Sequence, residues 1–482
     1  MRWNDVIRMA GVAVFVANLG GARLGNAASW PSLLPDDGGD LGVSDTGGEY
    51  GSGFCGGMGT ESDPFLICNE EQFQLIGQNP SACYKLFQDI YLTSKITPIS
   101  EFSGIFDGDF KTVFDLEYAG VAGADAGWIL VNSGSINSVR FSHSYISGYG
   151  MRTGLIARNN GAISFVDVID GAVNAEEIST YGMMGGVVAV NDGVIEFSGF
   201  QGHMLYPNHS AAGGVVGVNR PGAWVYWSYL GRESRIQRSS GGDITFVGGI
   251  VGVNAGDIRG TEVFADTVVS GGQSVGGVAG VNTAEAKIFG AAVFGVISSD
   301  KPVGFLGGVA GRNRGKIESV GVTASAVVDP MLAAGGAVGG IVGFQGVNAI
   351  IEDSFSFATI AASGGGESAG GGLVGHQMGI IRHSYSAVSV KSYTYAGAFC
   401  GLKSGRSSTS GSYYYSGSTP STDTCAEEMS GAQMTSQANY IGGDLDVIWK
   451  INPGESPGLQ WPYYYPYERG KFFKSSEPRE ED

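Results

Sequence analysis

A seven-residue motif recurs ten times between about residues 126 and 405, and it constrains the fold more than any other feature of the chain. Each copy has two glycines, a pair of apolar residues, a small residue, a variable residue and a side-chain amide; the clearest copies are residues 213–219, 248–254, 276–282 and 307–313. Internal repetition of this kind is the signature of a solenoid or array. We therefore expect one long repeat domain rather than the several globular domains that 482 residues would otherwise suggest.

The amide that ends each motif defines the register of the repeats. Successive amide positions are 26 to 35 residues apart, so one repeat has about 30 residues. This amide column consists of Asn132, Asn159, Asn191, Asn219, Asn254, Asn282, Asn313, Gln345 and Gln377, and Lys403 takes the position in the degenerate last copy.

A second column lies four residues after the amide and holds isoleucine in six copies. These are Ile136, Ile163, Ile195, Ile258, Ile317 and Ile381. In three other copies an alanine takes this place and an aliphatic residue follows: Val225 and Ile288 come two positions later, and Ile350 comes directly after Ala349. A small slip at a turn would explain these exceptions.

The repeats are predicted to be short strands rather than helices. A helical repeat needs apolar residues at three- and four-residue spacing through a stretch poor in glycine, whereas 82 glycines interrupt this chain. Segments such as 256–264 and 315–322 alternate apolar and polar residues, as half-buried strands do. Short strands separated by tight corners, repeated every 30 residues, predict an all-β parallel β-helix of about ten coils.

The amide column has a physical reason in such a fold. Coils would be stacked about 4.8 Å apart, and identical amides at that spacing can hydrogen-bond along the axis. The alternative is that Asn recurs only because it tolerates turn dihedrals. The two glutamines in register favour a ladder of side-chain amides, because Gln has no special preference for positive φ.

At this point the sequence resembles a known family. Residues 371–386, Gly-Gly-Leu-Val-Gly-His-Gln-Met-Gly-Ile-Ile-Arg-His-Ser-Tyr-Ser, are similar almost throughout to the GLUG motif. Segments before and after the repeats, such as 59–68, 102–109 and 444–462, are similar to those that flank the motif in this family. The resemblance covers about residues 53–462 and implies an exported, adhesin-like bacterial protein with a β-helix fold; some immunoglobulin A peptidases also carry the motif.

The chain divides into six predicted segments. They are a signal peptide (1–29), a flexible Gly/Asp-rich leader (30–53), an N-terminal cap of the solenoid (54–125), the repeats (126–425), a C-terminal cap (426–466) and a charged, disordered tail (467–482). Asp5, Asn18 and Arg23 are atypical of a signal peptide, so an anchored or disordered N-terminus remains the alternative. In the C-terminal cap, Trp449, Leu459 and Trp461 are expected to cover the core.

Composition supports a secreted or cell-surface location and limits the partners. Only 15% of residues are charged, which is few for a cytosolic enzyme. A net charge of −18 without a basic stripe argues against nucleic acid. No later segment has the roughly 20 apolar residues of a membrane span, so a surface location would require an anchoring partner.

Five cysteines in an exported chain suggest disulfides. Cys68 and Cys83 are predicted to pair in the N-terminal cap, which leaves Cys55 over, and Cys400 with Cys425 would bracket the last repeat. The alternative is that all five are small buried thiols. No pair has the C-x-x-C spacing of a zinc or redox site.

The repeats show no recurring acid pair, metal set or H-E-x-x-H motif, so the sequence predicts no catalytic residue, no cofactor and no enzyme. Glu352, Asp353 and Glu367 are scattered carboxylates, and His376 is expected to be exposed. The alternative is a carbohydrate-active β-helix enzyme, a lyase or hydrolase, whose carboxylate site is not recognisable in the sequence.

The predicted function is an adhesin-like scaffold that binds a glycan or a protein surface. Four aromatic residues within one repeat are the candidate contacts: Trp224, Tyr226, Trp227 and Tyr229. Core or cap packing is the alternative for these side chains. Residues 226–236 and 330–334 fall in longer repeats and are expected to project as loops, which is where repeat scaffolds bind partners.

Overall fold

The computed structural model describes twelve stretches of the chain, all within the compact unit Tyr50–Asp482. They are residues 53–175, 182–206, 209–238, 246–298, 303–323, 327–329, 332–360, 367–390, 393–418, 423–436, 448–451 and 455–459. The predicted signal peptide, nearly all of the predicted leader, the charged tail and Trp461 lie outside the described residues.

The chain winds as a parallel β-helix, which confirms the predicted fold class. Its strands form three sheets that run along the axis, and the strands pair in parallel within each sheet. The amide sheet has ten strands, each ending at the amide position or its Lys403 equivalent: Ile129–Asn132, Ile156–Asn159, Val188–Asn191, Val216–Asn219, Val251–Asn254, Ala279–Asn282, Ala310–Asn313, Val342–Gln345, Val374–Gln377 and Cys400–Lys403.

The second sheet precedes the amide sheet in each coil, and we call it the glycine sheet because eight of its nine strands end at a motif glycine. Its strands are Arg152–Thr153, Gly182–Gly185, His209–Gly213, Phe246–Gly248, Ser274–Gly276, Val303–Gly307, Leu332–Gly339, Ala369–Gly371 and Tyr395–Gly397.

The third sheet, the long sheet, has 28 described strands and completes each coil. Its strands are Phe65–Ile67, Cys83–Leu86, Ile90–Tyr91, Ile105–Phe114, Glu117–Ala119, Ser135–Ser142, Tyr145–Gly148, Ala162–Ala175, Val194–Glu196, Gly199–Tyr206, Trp224–Tyr226, Tyr229–Leu230, Arg235–Arg238, Asp257–Val263, Val268–Ser270, Lys287–Val293, Val296–Ser298, Lys316–Glu318, Gly321–Val322, Val327–Asp329, Ile350–Glu352, Phe355–Ser356, Thr359–Ile360, Ile380–Arg382, Tyr385–Ser386, Ser408–Ser410, Tyr413–Tyr415 and Glu427–Met429.

Short helices occur only near the two ends of the described chain. An α-helix, Glu70–Gln74, continues into the 3-10 helix Leu75–Gln78, and Asn69 caps it by accepting a hydrogen bond from the Gln72 amide at 3.0 Å. A second α-helix, Gly431–Met434, begins at Ser430 with a reciprocal capping box. Among the described residues, no helix has the length and apolar character that crossing a bilayer requires.

The isoleucine column lies in the core, and the predicted slip is real. Val225 pairs in register with Ile195 on one side and Ile258 on the other. Ile288 and Ile351 take the same place in their coils. All of these aliphatic side chains are fully buried. The core residue is therefore two positions after the alanine in each of the three slipped copies. In the third copy this residue is Ile351, so the expectation that Ile350 would take the place is wrong.

The glycines of the motif allow the amide sheet and the glycine sheet to pack at very short distance. A Cβ on Gly252 would lie 2.6 Å from the Ala212 backbone nitrogen and 2.7 Å from the Gly217 carbonyl oxygen. Real Cβ atoms essentially never make contacts shorter than 3.0 Å. The same column holds Gly217, Gly252, Gly280, Gly311, Gly343, Gly375 and Gly401, and each of them has a backbone atom this close. The small residue of the motif is thus required by the contact between two sheets.

The side chains of the amide column are fully buried and bonded to one another along the axis. Asn254 Nδ2 donates to Asn282 Oδ1 at 2.9 Å, and the next asparagine donates in the same way. Six such bonds of 2.7–2.9 Å join the seven asparagines from Asn132 to Asn313. Gln345 and Gln377 donate instead to backbone carbonyls of the following coil, at Ile380 and Ser408. None of the nine amides has a positive φ.

Replacing Asn254 by leucine should lower the free energy of unfolding by about 2–3 kcal/mol. Leucine has a similar volume, but it leaves a donor on Asn219 and an acceptor on Asn282 without their partner in a dry environment. Chemical denaturation monitored by circular dichroism measures the loss. The exposed Asn160 is the matched control, and Asn160→Leu should leave stability nearly unchanged. Equal effects of the two substitutions would show that the ladder does not stabilise the coils.

Two disulfides lie at the ends of the repeat array, and one differs from the predicted pairing. Cys55 is bonded to Cys68, and Cys83 is the free cysteine, so the predicted Cys68–Cys83 bridge is wrong. The strand register explains the difference: Phe65 pairs with Tyr84 and Ile67 with Leu86, which places Cys83 and Cys68 about four residues apart along neighbouring strands. Cys55 lies next to Cys68 because Gly56 pairs antiparallel with Leu66.

The second disulfide, Cys400–Cys425, is the predicted staple of the last repeat. Asp423 supports this end of the solenoid by accepting hydrogen bonds from the amides of Phe399 and Cys400, at 2.6 and 3.0 Å. Burial raises the pKa of the Asp423 carboxyl, and these backbone bonds oppose the rise.

The C-terminal segment covers the outer face of the last coils rather than the core. Trp449 and Leu459 belong to an antiparallel strand pair, Trp449–Lys450 with Gly458–Leu459. They pack with Phe355, Tyr385, Tyr413, Met429 and Met434 in a second apolar cluster. The expectation that they would close the main core is therefore wrong. Phe355 and its register partners point away from that core, while their neighbours such as Ser356 point into it, because alternate residues of a strand face opposite sides.

Candidate binding face on the long sheet

The long sheet presents two outward rows of side chains, because the core residue in each coil has an outward neighbour before and after it. Trp224 and Tyr226 flank the buried Val225, and Lys287 and Phe289 flank the buried Ile288. Each of four consecutive coils contributes two outward side chains to a surface that we call the lateral patch. Its residues are Trp224, Tyr226, Asp257, Arg259, Lys287, Phe289, Lys316 and Glu318.

One half of the lateral patch is aromatic with a cation against it. The ring centroids of Trp224 and Tyr226 are 4.9 Å apart, and both side chains are half-buried. The Arg259 guanidinium carbon lies 5.0 Å from the Trp224 ring centroid, within cation–π range. Arg259 also forms an ion pair with Asp257, with 3.3 Å between Nη2 and Oδ2. These contacts hold Arg259 in place on a rigid strand.

The other half of the lateral patch is a hollow of about 280 Å³. Its lining is Arg259, Lys287, Ile288, Phe289, Lys316 and Glu318. Phe289 is 45% exposed. Lys316 Nζ is held 2.6 Å from Glu318 Oε2 and 3.1 Å from Glu352 Oε2. Among the described residues, no carboxylate lies within ion-pair distance of the Lys287 ammonium group.

Burial shifts several titrating groups in and beside the lateral patch. It raises the pKa of Tyr226 to about 12, against the opposing effect of Arg259. It also raises the pKa of Glu196, the register neighbour of Tyr226. Burial disfavours the Lys316 ammonium, but the hydrogen bonds to Glu318 and Glu352 outweigh it, so the Lys316 pKa is raised. Lys316 therefore stays charged at neutral pH.

The four aromatic residues singled out in the sequence do not form one surface. Trp224 and Tyr226 point outward in the lateral patch. Trp227 occupies the following corner, at φ 47°, with 36% of its side chain exposed. Tyr229 lies on the next strand, over Gly199, and meets Phe264 edge to face at 5.9 Å. Only Trp224 and Tyr226 thus share a face with the hollow.

The predicted projecting loop at residues 226–236 is wrong. These residues are part of the coil, in the strands Trp224–Tyr226, Tyr229–Leu230 and Arg235–Arg238, and Leu230 and Ile236 are fully buried. The strand Arg235–Arg238 has a counterpart in both neighbouring coils, because it pairs with residues 203–206 on one side and with the strand Val268–Ser270 on the other. Most of the extra length of this repeat falls between Ile236 and Val247, a segment that includes residues 239–245, which lie outside the described residues. Of the second predicted loop, residues 330 and 331 lie outside the described residues, and the rest is in the strand Leu332–Gly339.

An aromatic column at the corner of the long sheet was missed by the sequence analysis. Phe165, Phe197 and Trp227 occupy the same corner in successive coils, all with left-handed φ of 47–54°. The ring centroids of Phe165 and Phe197 are 4.8 Å apart, and the rings are stacked. In the coil after Trp227 the same corner holds Gly260, where a Cβ would lie 2.4 Å from the indole ring. An aromatic residue in the left-handed region of φ costs about 1–3 kcal/mol of conformational free energy, so this column forms despite local backbone strain. In the sequence, each of these aromatic residues lies two positions after the buried aliphatic residue of its coil.

The structure also places His383 beside Glu352 and Asp353, two of the carboxylates that the sequence analysis describes as scattered. Asp353 is 5% exposed; it accepts a hydrogen bond from Trp449 Nε1 at 3.1 Å and lies 3.8 Å from His383 Nδ1. Glu352 is adjacent, but it is paired with Lys316 and Arg382. Burial raises the pKa of Asp353, and the bond from Trp449 opposes the rise. This group fastens the C-terminal segment to the long sheet.

Two further residues from the sequence analysis lie elsewhere. Glu367 is exposed. His376, which was expected to be exposed, is half-buried on the amide sheet; its Nε2 is 2.7 Å from Ser404 Oγ and its ring lies 5.3 Å from Phe344. Burial lowers its pKa. The structure brings neither residue into the lateral patch.

Comparison with known proteins finds similarity only among solved structures. No protein-family model and no curated protein matches the chain, so the likeness to the GLUG motif rests on the residues quoted above. One similar structure is described as "a putative immunoglobulin A1 protease from Bacteroides ovatus"; it is 16% identical, the alignment covers 85% of this chain and 95% of that one, and the TM-score is 0.28. Another, named "IgA1 Protease", is 14% identical over 80% of this chain and 24% of its own length, with a TM-score of 0.28.

These two names overturn one prediction made from the sequence. Both proteins are named as proteases, which contradicts the prediction that this chain is not an enzyme. At such identities and TM-scores the likeness concerns the fold alone.

Proposed function

We propose that the protein is an exported attachment protein that binds carbohydrate through the lateral patch. The observation that carries the proposal is that the aromatic pair Trp224 and Tyr226 lies on the same face of a regular sheet as the exposed Phe289, which lines a hollow two coils further on. Aromatic faces pack against the apolar C–H faces of pyranose rings, and polar groups around them orient the hydroxyls. The lateral patch has both kinds of group within four coils.

The scaffold suits attachment because it is rigid where the ligand would bind. Trp224, Arg259 and Phe289 are on strands whose inward neighbours are fully buried, so their backbones are fixed by the core. Successive coils are about 4.8 Å apart, so a saccharide chain along the axis would meet a new pair of outward side chains at each coil.

Export is supported by the disulfides. Cys55–Cys68 and Cys400–Cys425 are compatible with an extracellular protein, because such bonds persist in oxidising compartments. The N-terminal residues with the composition of a signal peptide point the same way. Adhesion to a surface, or retention in a matrix, is the role that we assign to this location.

Replacing Phe289 by alanine should weaken carbohydrate binding about tenfold without affecting the fold. The ring is on the outside, so its removal costs little stability, while a stacked sugar would lose its apolar contact. A glycan array identifies ligands, and titration calorimetry with the wild type and the variant measures the change in Kd.

The control for this experiment is Tyr395→Ala, which removes a ring of similar exposure, 40%, from the glycine sheet. Its binding should match the wild type. An array without any carbohydrate ligand, or identical Kd values for Phe289→Ala and Tyr395→Ala, would refute carbohydrate binding by the lateral patch.

A further inference from the structure

The side chains that line the hollow in the lateral patch carry more positive than negative charges. Its cations are Arg259, Lys287 and Lys316. Asp257 pairs with Arg259, and Glu318 with Lys316. Lys287 lies between Asp257 and Lys316 in register, yet it forms no ion pair within the described part of the chain. Of the three cations that line the hollow, Lys287 is therefore the one without a carboxylate at ion-pair distance among the described residues.

We propose that this hollow takes an acidic substituent of the bound glycan, a carboxylate or a sulfate ester, against the Lys287 ammonium group. The inference rests on the proposed function and specifies its ligand class. Lys287 is exposed, so its ammonium group is accessible, and its coil also carries Phe289. An acidic sugar whose ring packs on Phe289 would place its charged group two residues away along the same strand.

The rest of the molecule determines which acidic glycans fit. The chain has a net charge of −18, so a densely charged polymer is repelled wherever it extends beyond the lateral patch. Ionic screening reduces that repulsion beyond about 8–10 Å at physiological salt, whereas a contact pair at Lys287 is screened less. A short oligosaccharide with few acidic groups is therefore the appropriate probe.

The other outward acids define where the cationic region ends. Glu196 lies on one side of it, next to Tyr226, and Glu352 lies on the other, held by Lys316 and Arg382. The hollow between them is the part of the lateral patch where an added negative charge meets a cation without a partner. The acidic group is accordingly assigned to the coil of Lys287 rather than to its neighbours.

The test compares trigalacturonate with its fully methyl-esterified form, which has the same rings without the charges, by titration calorimetry on the full chain. A sulfated trisaccharide of neutral sugars is the third ligand, and it separates sulfate from carboxylate recognition. We expect the wild type to bind one of the two acidic ligands at least tenfold more tightly than the ester. Lys287→Gln should remove that difference, whereas Lys403→Gln, on the last amide strand, should preserve it.

The outcomes separate this inference from the proposed function. Equal affinity for acidic and esterified ligands, or a charge preference that survives Lys287→Gln, overturns the acidic subsite. If binding is still weakened by Phe289→Ala in that case, carbohydrate attachment itself stands. If the wild type binds none of these ligands and no glycan on an array, both proposals fall.

Discussion

Substitution of Gly252 by valine should prevent recovery of a folded solenoid. The Cβ would meet backbone atoms of the facing sheet and of a neighbouring coil, at 2.6 Å from the Ala212 nitrogen and 2.7 Å from the Gly217 oxygen. Overpacking a core with added methyl groups usually costs about 1–3 kcal/mol because side chains move aside. Backbone of a parallel sheet cannot do so without breaking its own hydrogen bonds, so the loss should exceed that range.

Expression yield and thermal unfolding, followed by circular dichroism, measure this effect. Gly458→Val is the matched control: Gly458 is also on a strand, its φ is not positive, and nothing lies within 4 Å of a Cβ placed there. That variant should fold and melt like the wild type. A Gly252→Val protein that melts within a few degrees of the control would mean that the two sheets are not in contact.

Aspartate in place of Ile351 should destabilise the chain by at least about 5 kcal/mol. Removing a buried isoleucine costs about 2–5 kcal/mol, and an unpaired carboxylate in the core adds the penalty of burying a charge. The adjacent Ile350 provides an internal control, because it points outward and is half-buried. Ile350→Asp should cost about 1 kcal/mol or less.

The Ile350 and Ile351 pair also tests the register of the repeat. Simple counting from the amide column reaches Ala349, and only the two-residue slip places Ile351 inside. If Ile350→Asp is the more damaging change in urea denaturation, the slip is misplaced by one residue, and every outward side chain of that coil would be on the other face.

The architecture could be predicted from the sequence because each column of the repeat meets the same environment in every coil. Glycine, aliphatic and amide positions recur with a clear physical requirement, so their spacing alone gives the coil. The lateral patch was not predictable in full for a related reason. Counting five residues from each amide without the slip reaches Trp224, Lys287 and Ile350. The structure places Tyr226, Phe289 and Glu352 in that outward row instead.

Contacts outside the repeat pattern were beyond sequence reasoning. The pairing of Cys55 with Cys68 depends on an antiparallel bridge at Gly56 that no repeat signals. The bond between Trp449 and Asp353 joins residues 96 positions apart. The length of a repeat does not tell where along the coil its extra residues lie. For this reason residues 226–236 were expected to project, although their strands have counterparts in the neighbouring coils.

The asparagine ladder gives the solenoid an electrical direction. From Asn132 to Asn313 every side chain donates to the next coil toward the C-terminus, so seven amide dipoles point the same way, as peptide dipoles do in an α-helix. Aligned bonds polarise one another, so an amide in the middle is held more strongly than one at either end. The change to glutamine at Gln345 ends this row of dipoles, and the positive end falls at the Ile350 carbonyl, to which Asn313 donates.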